Sequence, residues 1–189
     1  MKLLHIMPLE VYQNTLEQGL SYQAKLSLMD LEPQWAPAYS FMKSKLLEKV
    51  PLPQVPGTFL QEIYPTWAWP LEKLIDFKVD CRQRFFKKWG PPGANYMCVV
   101  FEKKEQDVLL SDFDCWHFAL NQQFLCLEEQ TPLEAPLALL EKSWTQIFDD
   151  KFLAEFHKTS ENNYSIFWQA VCWGIQPQEI VKTKKFTCR

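Results

Sequence analysis

Residues 108–125, VLLSDFDCWHFALNQQFL, constrain the fold more than any other part of the chain. Val108, Leu109 and Leu110 form an apolar run that reads as a short buried strand. Ser111 or Asp112 stops that strand, and an aromatic-rich helix follows. Ser111-x-x-Asp114 is close to a capping box, in which a side-chain oxygen accepts a hydrogen bond from an orphan N–H of the first turn. Acidic groups at that end also suit the helix dipole. Phe113, Trp116, Leu120 and Phe124 recur at helical spacing and predict one apolar stripe. Asp114, His117 and Asn121 follow at steps of three and four, so they predict a neighbouring polar stripe. Asp114 and His117 are candidates for proton exchange, with Asp112 and Asn121 as hydrogen-bonding neighbours. The stretch does not predict a metal centre, because one His and two Asp without a second His give weak ligand spacing.

The remaining pattern predicts a single α+β domain with a mixed or antiparallel sheet and packed helices. Residues 2–7 form a strand, Pro8 opens a helix with Leu9, Tyr12 and Leu16 inward, and Gly19 stops it. Residues 20–35 read as irregular. Pro37 starts a second helix with Ala38, Phe41, Met42 and Leu46 inward, ending before Pro51. Pro51, Pro53, Pro56 and Gly57 make a loop. Residues 63–69, IYPTWAW, are extended; Pro65 predicts an edge or a bulge, and Trp67 and Trp69 share a face. Residues 96–101 are apolar throughout and predict a central strand. Pro136 begins a helix with Leu137, Leu140, Trp144 and Ile147 inward, and residues 149–163 read as polar and irregular. Residues 164–173 and 181–188 are strands, joined in a hairpin-like ending. A chain of 189 residues, 47% hydrophobic, can close one core around these elements.

Charge and cysteine usage narrow the function classes. A net charge of −3 argues against a general nucleic-acid binder. The segment CRQRFFKKW at 81–89 interleaves Arg82, Arg84, Lys87 and Lys88 with aromatics, a pattern for a nucleic-acid or protein contact or for a solvated amphipathic segment. The six cysteines form no C-x-x-C pair, and most of them read as buried free thiols. The apolar start is too short for a signal peptide, and no run is long enough to span a membrane. These features predict a cytoplasmic protein. No G-x-S-x-G, P-loop or G-x-G-x-x-G occurs.

Four pieces carry a family resemblance: IYPTWAW at 63–69, VLLSDFDCWHFALNQQFL at 108–125, SWTQIFD at 143–149, and the ending from Trp168 to Phe186. On these the chain is identified as a member of the bacterial family domain of unknown function 3841, and membership implies no particular activity. A second resemblance lies at the two ends. LHIMPLEVYQNTLEQGL resembles the first strand and helix of the DNA-modifying ADP-ribosyltransferases, and WQAVCWGIQPQEI is similar to their late strand. The resemblance implies an ADP-ribosyltransferase-like fold, NAD as cofactor, and His5 as the residue that holds it. The family's glutamate is replaced by Val171, with Gln169 and Glu179 nearby. The expected site therefore has His117, Asp114 and Gln169 in catalytic roles. Its expected ligand-binding residues are His5, Tyr64, Trp67, Trp69, Asp112, Trp116 and Asn121, with His5, Trp67, Asp114 and His117 on one cleft. The expected ligand is nucleotide-like, NAD or a nucleic-acid base. The competing expectation is a non-catalytic module that contacts protein or nucleic acid.

Overall fold

The computed structural model describes residues 1–25, 33–52, 63–73, 88–127, 135–159 and 166–189. Residues 53–57 of the proline loop, Cys81, Arg82, Arg84 and Lys87 lie outside them. The chain opens with strand β1, Lys2–Pro8, and helix α1, Leu9–Asn14. Strands β2 (Ala24–Lys25) and β3 (Ile63–Tyr64) flank helix α2, Ala36–Lys49. Strands β4 (Thr66–Pro70), β5 (Asn95–Glu102) and β6 (Leu109–Asp112) lead into helix α3, Phe113–Leu120. Helices α4 (Leu137–Trp144) and α5 (Asp150–Thr159) then precede strands β7 (Trp168–Cys172) and β8 (Ile180–Thr187). Six strands form one sheet in the order β6-β7-β4-β1-β5-β8, and every pairing in it is antiparallel. The fold is therefore α+β on an antiparallel sheet. β2 and β3 make a separate two-stranded ribbon.

Strands buried on both sides sit at the centre. In β1 and β5 almost every residue between the ends is buried, as unbroken apolar runs require. One face carries Leu3, Met7, Val99 and Phe101 against Leu16 and Ile175. The opposite face carries Val171 and Trp67 against α2, α3 and α4, and, further along, Leu4, Ile6, Cys98 and Val100. Helix α2 buries Ala38, Phe41, Met42 and Leu46, the face its sequence predicts.

Four expectations are corrected. First, residues 150–159 are helical, because Asp149 Oδ1 accepts hydrogen bonds from Lys151 N and Phe152 N and starts α5, which buries Leu153 and His157. Second, β7 and β8 do not pair. β7 lies between β6 and β4, β8 is an edge beside β5, and the residues between them cross beneath the sheet through the buried Ile175. Gly174 makes this crossing: its φ is +66°, and a Cβ there would run into the Tyr22 carbonyl that receives the Ile175 N–H. Third, Pro65 does not mark a sheet edge. It separates β3 from β4, and β4 is internal, so the missing N–H falls between strands. Fourth, Leu137 is 46% exposed, because α4 turns Leu140, Ser143 and Trp144 inward.

Candidate functional site

The middle of the sheet is split. β1 pairs with β5 along its whole length, but with β4 only at Leu3↔Pro70 and Leu4↔Trp69. Beyond that point the His5 imidazole takes over: Nδ1 donates to the Trp67 carbonyl oxygen at 2.7 Å. A side chain thus stands where a backbone N–H would continue the ladder. The separated strands leave a cavity of about 110 Å³, lined by Leu4, His5, Ile6, Trp67, Ala68 and Trp69 and closed by Trp89 and Gln169.

Two polar atoms at this slot are buried and lack a hydrogen-bond partner among the described residues: His5 Nε2 and Trp67 Nε1. Because Nδ1 must carry the proton that the Trp67 carbonyl accepts, Nε2 of the neutral ring is an acceptor. Trp67 Nε1–H is a donor. Burial keeps the ring neutral and lowers the His5 pKa to about 4, outweighing the bond to Trp67, which raises it. Tyr22 packs against the ring at 5.2 Å between centroids, and burial pushes its own pKa up to about 12. Such orphan polar groups are rare in interiors, and each one calls for a specific partner.

Gln169, on β7, is buried and donates from Nε2 to Ser111 Oγ at 3.1 Å. Trp69 stacks on Phe167 (5.1 Å between centroids, 18° between planes), and Trp67 packs on Trp116 at 4.9 Å. Trp116 itself is a buried core residue of α3.

The junction of β6 and α3 uses one of the two cap candidates that its sequence offers, Ser111 and Asp112. Asp112, not Ser111, is the cap: its Oδ1 accepts from Cys115 N at 2.7 Å. Its Oδ2 accepts from Phe167 N and from His157 Nε2, both at 3.1 Å. The carboxylate is fully buried, and it ties the strand end, α3, α5 and the entry to β7 together. Burial, and then the Asp112 carboxylate, push the Cys115 thiol upward and hold it protonated. Helix α3 buries Cys115, Trp116 and Ala119, so Phe113 and Leu120 flank the packed face rather than form it.

Asp114, His117 and Asn121 do not join the slot. All three are exposed. His117 Nδ1 donates to Phe113 O at 2.8 Å, and Asn121 Nδ2 donates to His117 O at 2.8 Å, so both close the local helix. Among the described residues Asp114 and His117 share no hydrogen bond or ion pair. Partial desolvation, then the charge of Asp112, raise the Asp114 pKa. Tyr64 lies on the separate ribbon with Lys43 Nζ 4.7 Å above its ring. Of the four residues expected on one cleft, His5 and Trp67 line this slot, together with Trp69 and Gln169, and Asp114 and His117 do not. The sequence placed Trp89 at the end of the basic–aromatic segment 81–89 rather than at this slot, and it gave no sign of the Asp112–His157 pair, whose members are 45 residues apart. Lys88, the described residue of the basic segment, is exposed. A wider groove of about 340 Å³ between α2 and α4 has Lys45, Glu141 and Lys142 at its walls and no buried orphan polar atom among the described residues.

A family model, Domain of unknown function (DUF3841), matches residues 24–135. The chain belongs to this family. No curated protein and no solved structure matches it. The DUF3841 match spans Trp67, Trp69 and the Asp112 cap, whereas His5, His157 and Gln169 lie outside it. No helix among the described residues is long and apolar enough to cross a membrane.

Two outcomes check this geometry. Asp112→Ala leaves three N–H donors without their acceptor, so it should cost more than about 3 kcal/mol, since each buried donor left unpaired costs about 1–3 kcal/mol. Ser111→Ala should cost about 1–3 kcal/mol by leaving Gln169 Nε2 unpaired. Urea midpoints will show whether that order holds, and equal effects would refute the assignment of the cap. His5 gives a pH signature. Its folded pKa lies below its unfolded value, so its contribution is complete above pH 6.5 and is lost as pH falls towards 4. The loss should reach up to about 3 kcal/mol, read as the difference between wild type and His5→Gln in denaturant titrations across that window.

Proposed function

We propose that the slot between β1 and β4 binds a planar, nucleotide-like ligand such as the nicotinamide or base of NAD, without turnover. The observation that carries this reading is that His5 and Trp67 line the slot with Trp69, and each holds a buried polar atom without a partner among the described residues: an acceptor at His5 Nε2 and a donor at Trp67 Nε1. A carboxamide or a nucleobase edge offers the opposite donor and acceptor next to a flat ring. A cavity of about 110 Å³ takes one ring. The remainder of a nucleotide extends outward past Trp89, which is 38% exposed. The resemblance of the first strand to ADP-ribosyltransferases supports the same role for His5.

Binding is favoured over catalysis by what surrounds the late strand. Val171 is a core residue on the face of α2 and α3, and Gln169 is committed to Ser111. Glu179 pairs with Lys103 at 2.7 Å and accepts the Gln176 N–H, so it is held in the crossing rather than at the slot. Cys115 and Cys172 are buried thiols outside any disulfide, which suits a reducing compartment such as the cytoplasm.

Titration with NAD, nicotinamide and adenine nucleotides, followed by tryptophan fluorescence, tests the reading. Saturable quenching is expected, weakened about tenfold by His5→Ala through loss of one hydrogen bond, with no release of nicotinamide over hours. A folded wild type whose fluorescence none of these ligands changes would sink the nucleotide reading.

A further inference from the structure

We propose that Asp112, Cys115 and His157 form a buried site for a zinc-like divalent cation. A carboxylate oxygen of Asp112, Cys115 Sγ and a ring nitrogen of His157 lie within 4.8 Å of one another, and the three residues are 0%, 0% and 6% exposed. An oxygen, a sulfur and an imidazole nitrogen are the donors that zinc takes. Asp112 and Cys115 are three residues apart across the first turn of α3, which brings both side chains to one side of it. His157 reaches them from the last turn of α5.

The spacing suits a shared ion. Two ligands at about 2.0–2.1 Å from a tetrahedral centre stand about 3.3 Å apart, and His157 Nε2 stands 3.1 Å from Asp112 Oδ2. Cys115 Sγ, within 4.8 Å of the other two donors, supplies the third bond. Charge points the same way. A carboxylate, a thiolate and a neutral imidazole around a divalent ion sum to zero, which is the favourable state for a fully buried cluster. Binding breaks the Cys115 S–H bond and forms a metal–sulfur bond, with the proton passing to solvent. The Nε2–H bond of His157, which donates to Asp112 in the metal-free chain, also breaks; its proton is exchanged through solvent, and the ring coordinates through Nε2 as its neutral Nδ1–H tautomer. Asp112 turns Oδ2 from the imidazole to the ion and keeps its Oδ1 bond from Cys115 N. The fourth position is left to water, so the ion fastens β6, α3 and α5 together.

Zinc and cobalt(II) added to the chelator-stripped wild-type chain provide the test. One equivalent of each should bind in competition with a chromophoric chelator. Zinc should raise the melting temperature, and the cobalt form should show a thiolate-to-metal charge-transfer band. Cys115→Ser should abolish that band, and both Cys115→Ser and His157→Gln should weaken zinc binding more than about 100-fold, the upper effect of losing a residue that only supports a ligand. Should His157→Gln fail to fold, Cys115→Ser decides, since it exchanges one sulfur for oxygen. A folded wild type that takes up neither ion, or a cobalt band that survives in Cys115→Ser, overturns the assignment.

Discussion

The hydrogen bond from His5 Nδ1 to the Trp67 carbonyl sets the shape of everything around it. A regular ladder between β1 and β4 would leave no space between Leu4, Ile6, Trp67 and Trp69. Pairing instead stops after Leu4↔Trp69, and the imidazole spans the gap. Three consequences follow from one contact. The sheet keeps its order, because a buried carbonyl still has its donor. The proton is fixed on Nδ1, so Nε2 is left as an acceptor. The contact also holds the ring in a buried place, where the solvation that a charge needs is lost, so the ring stays neutral.

The walls of the slot depend on a second buried group. Asp112 receives the Phe167 N–H, and the Phe167 ring stacks on Trp69. Phe113, the first residue of the helix that Asp112 caps, also packs on Trp69, at 5.1 Å between centroids. A carboxylate at the end of β6 thereby fixes the aromatic wall on the β4 side. Interactions of this kind couple without a change of fold, since each lies in a packed contact with little freedom to slide.

What was legible in the sequence is what short-range physics decides. The buried face of α2 follows from the 3.6-residue spacing of Ala38, Phe41, Met42 and Leu46, and Pro37 places its first turn. β5 reads as central because both of its faces are apolar. The cap at the start of α3 is visible as Ser-x-x-Asp, although only the structure distinguishes Asp112 from Ser111. What failed is long-range or short of pattern. α5 has too few apolar residues among its charges to stand out, and its helix depends on packing Leu153 and His157. The ending looks like a hairpin because strand order across a sheet is not encoded locally. In an eight-residue helix, a stripe from Phe113 to Leu120 can be rotated one position by its neighbours, and Cys115 and Ala119 took the inward places. His5 and Trp67 line one slot, but Asp114 and His117 do not reach it, because the cap pulls Asp112 inward and leaves Asp114 facing out.

The central claim is that His5 is a neutral bridge with its proton on Nδ1 and an open acceptor on Nε2. Nitrogen-15 NMR of the imidazole rings across pH 3.5–8, assigned through a His5→Gln spectrum, reads this directly. The account predicts the Nδ1–H tautomer at neutral pH and a midpoint near the depressed value of about 4. A ring protonated on Nε2 at neutral pH, or one that titrates near the ordinary histidine value, would contradict it.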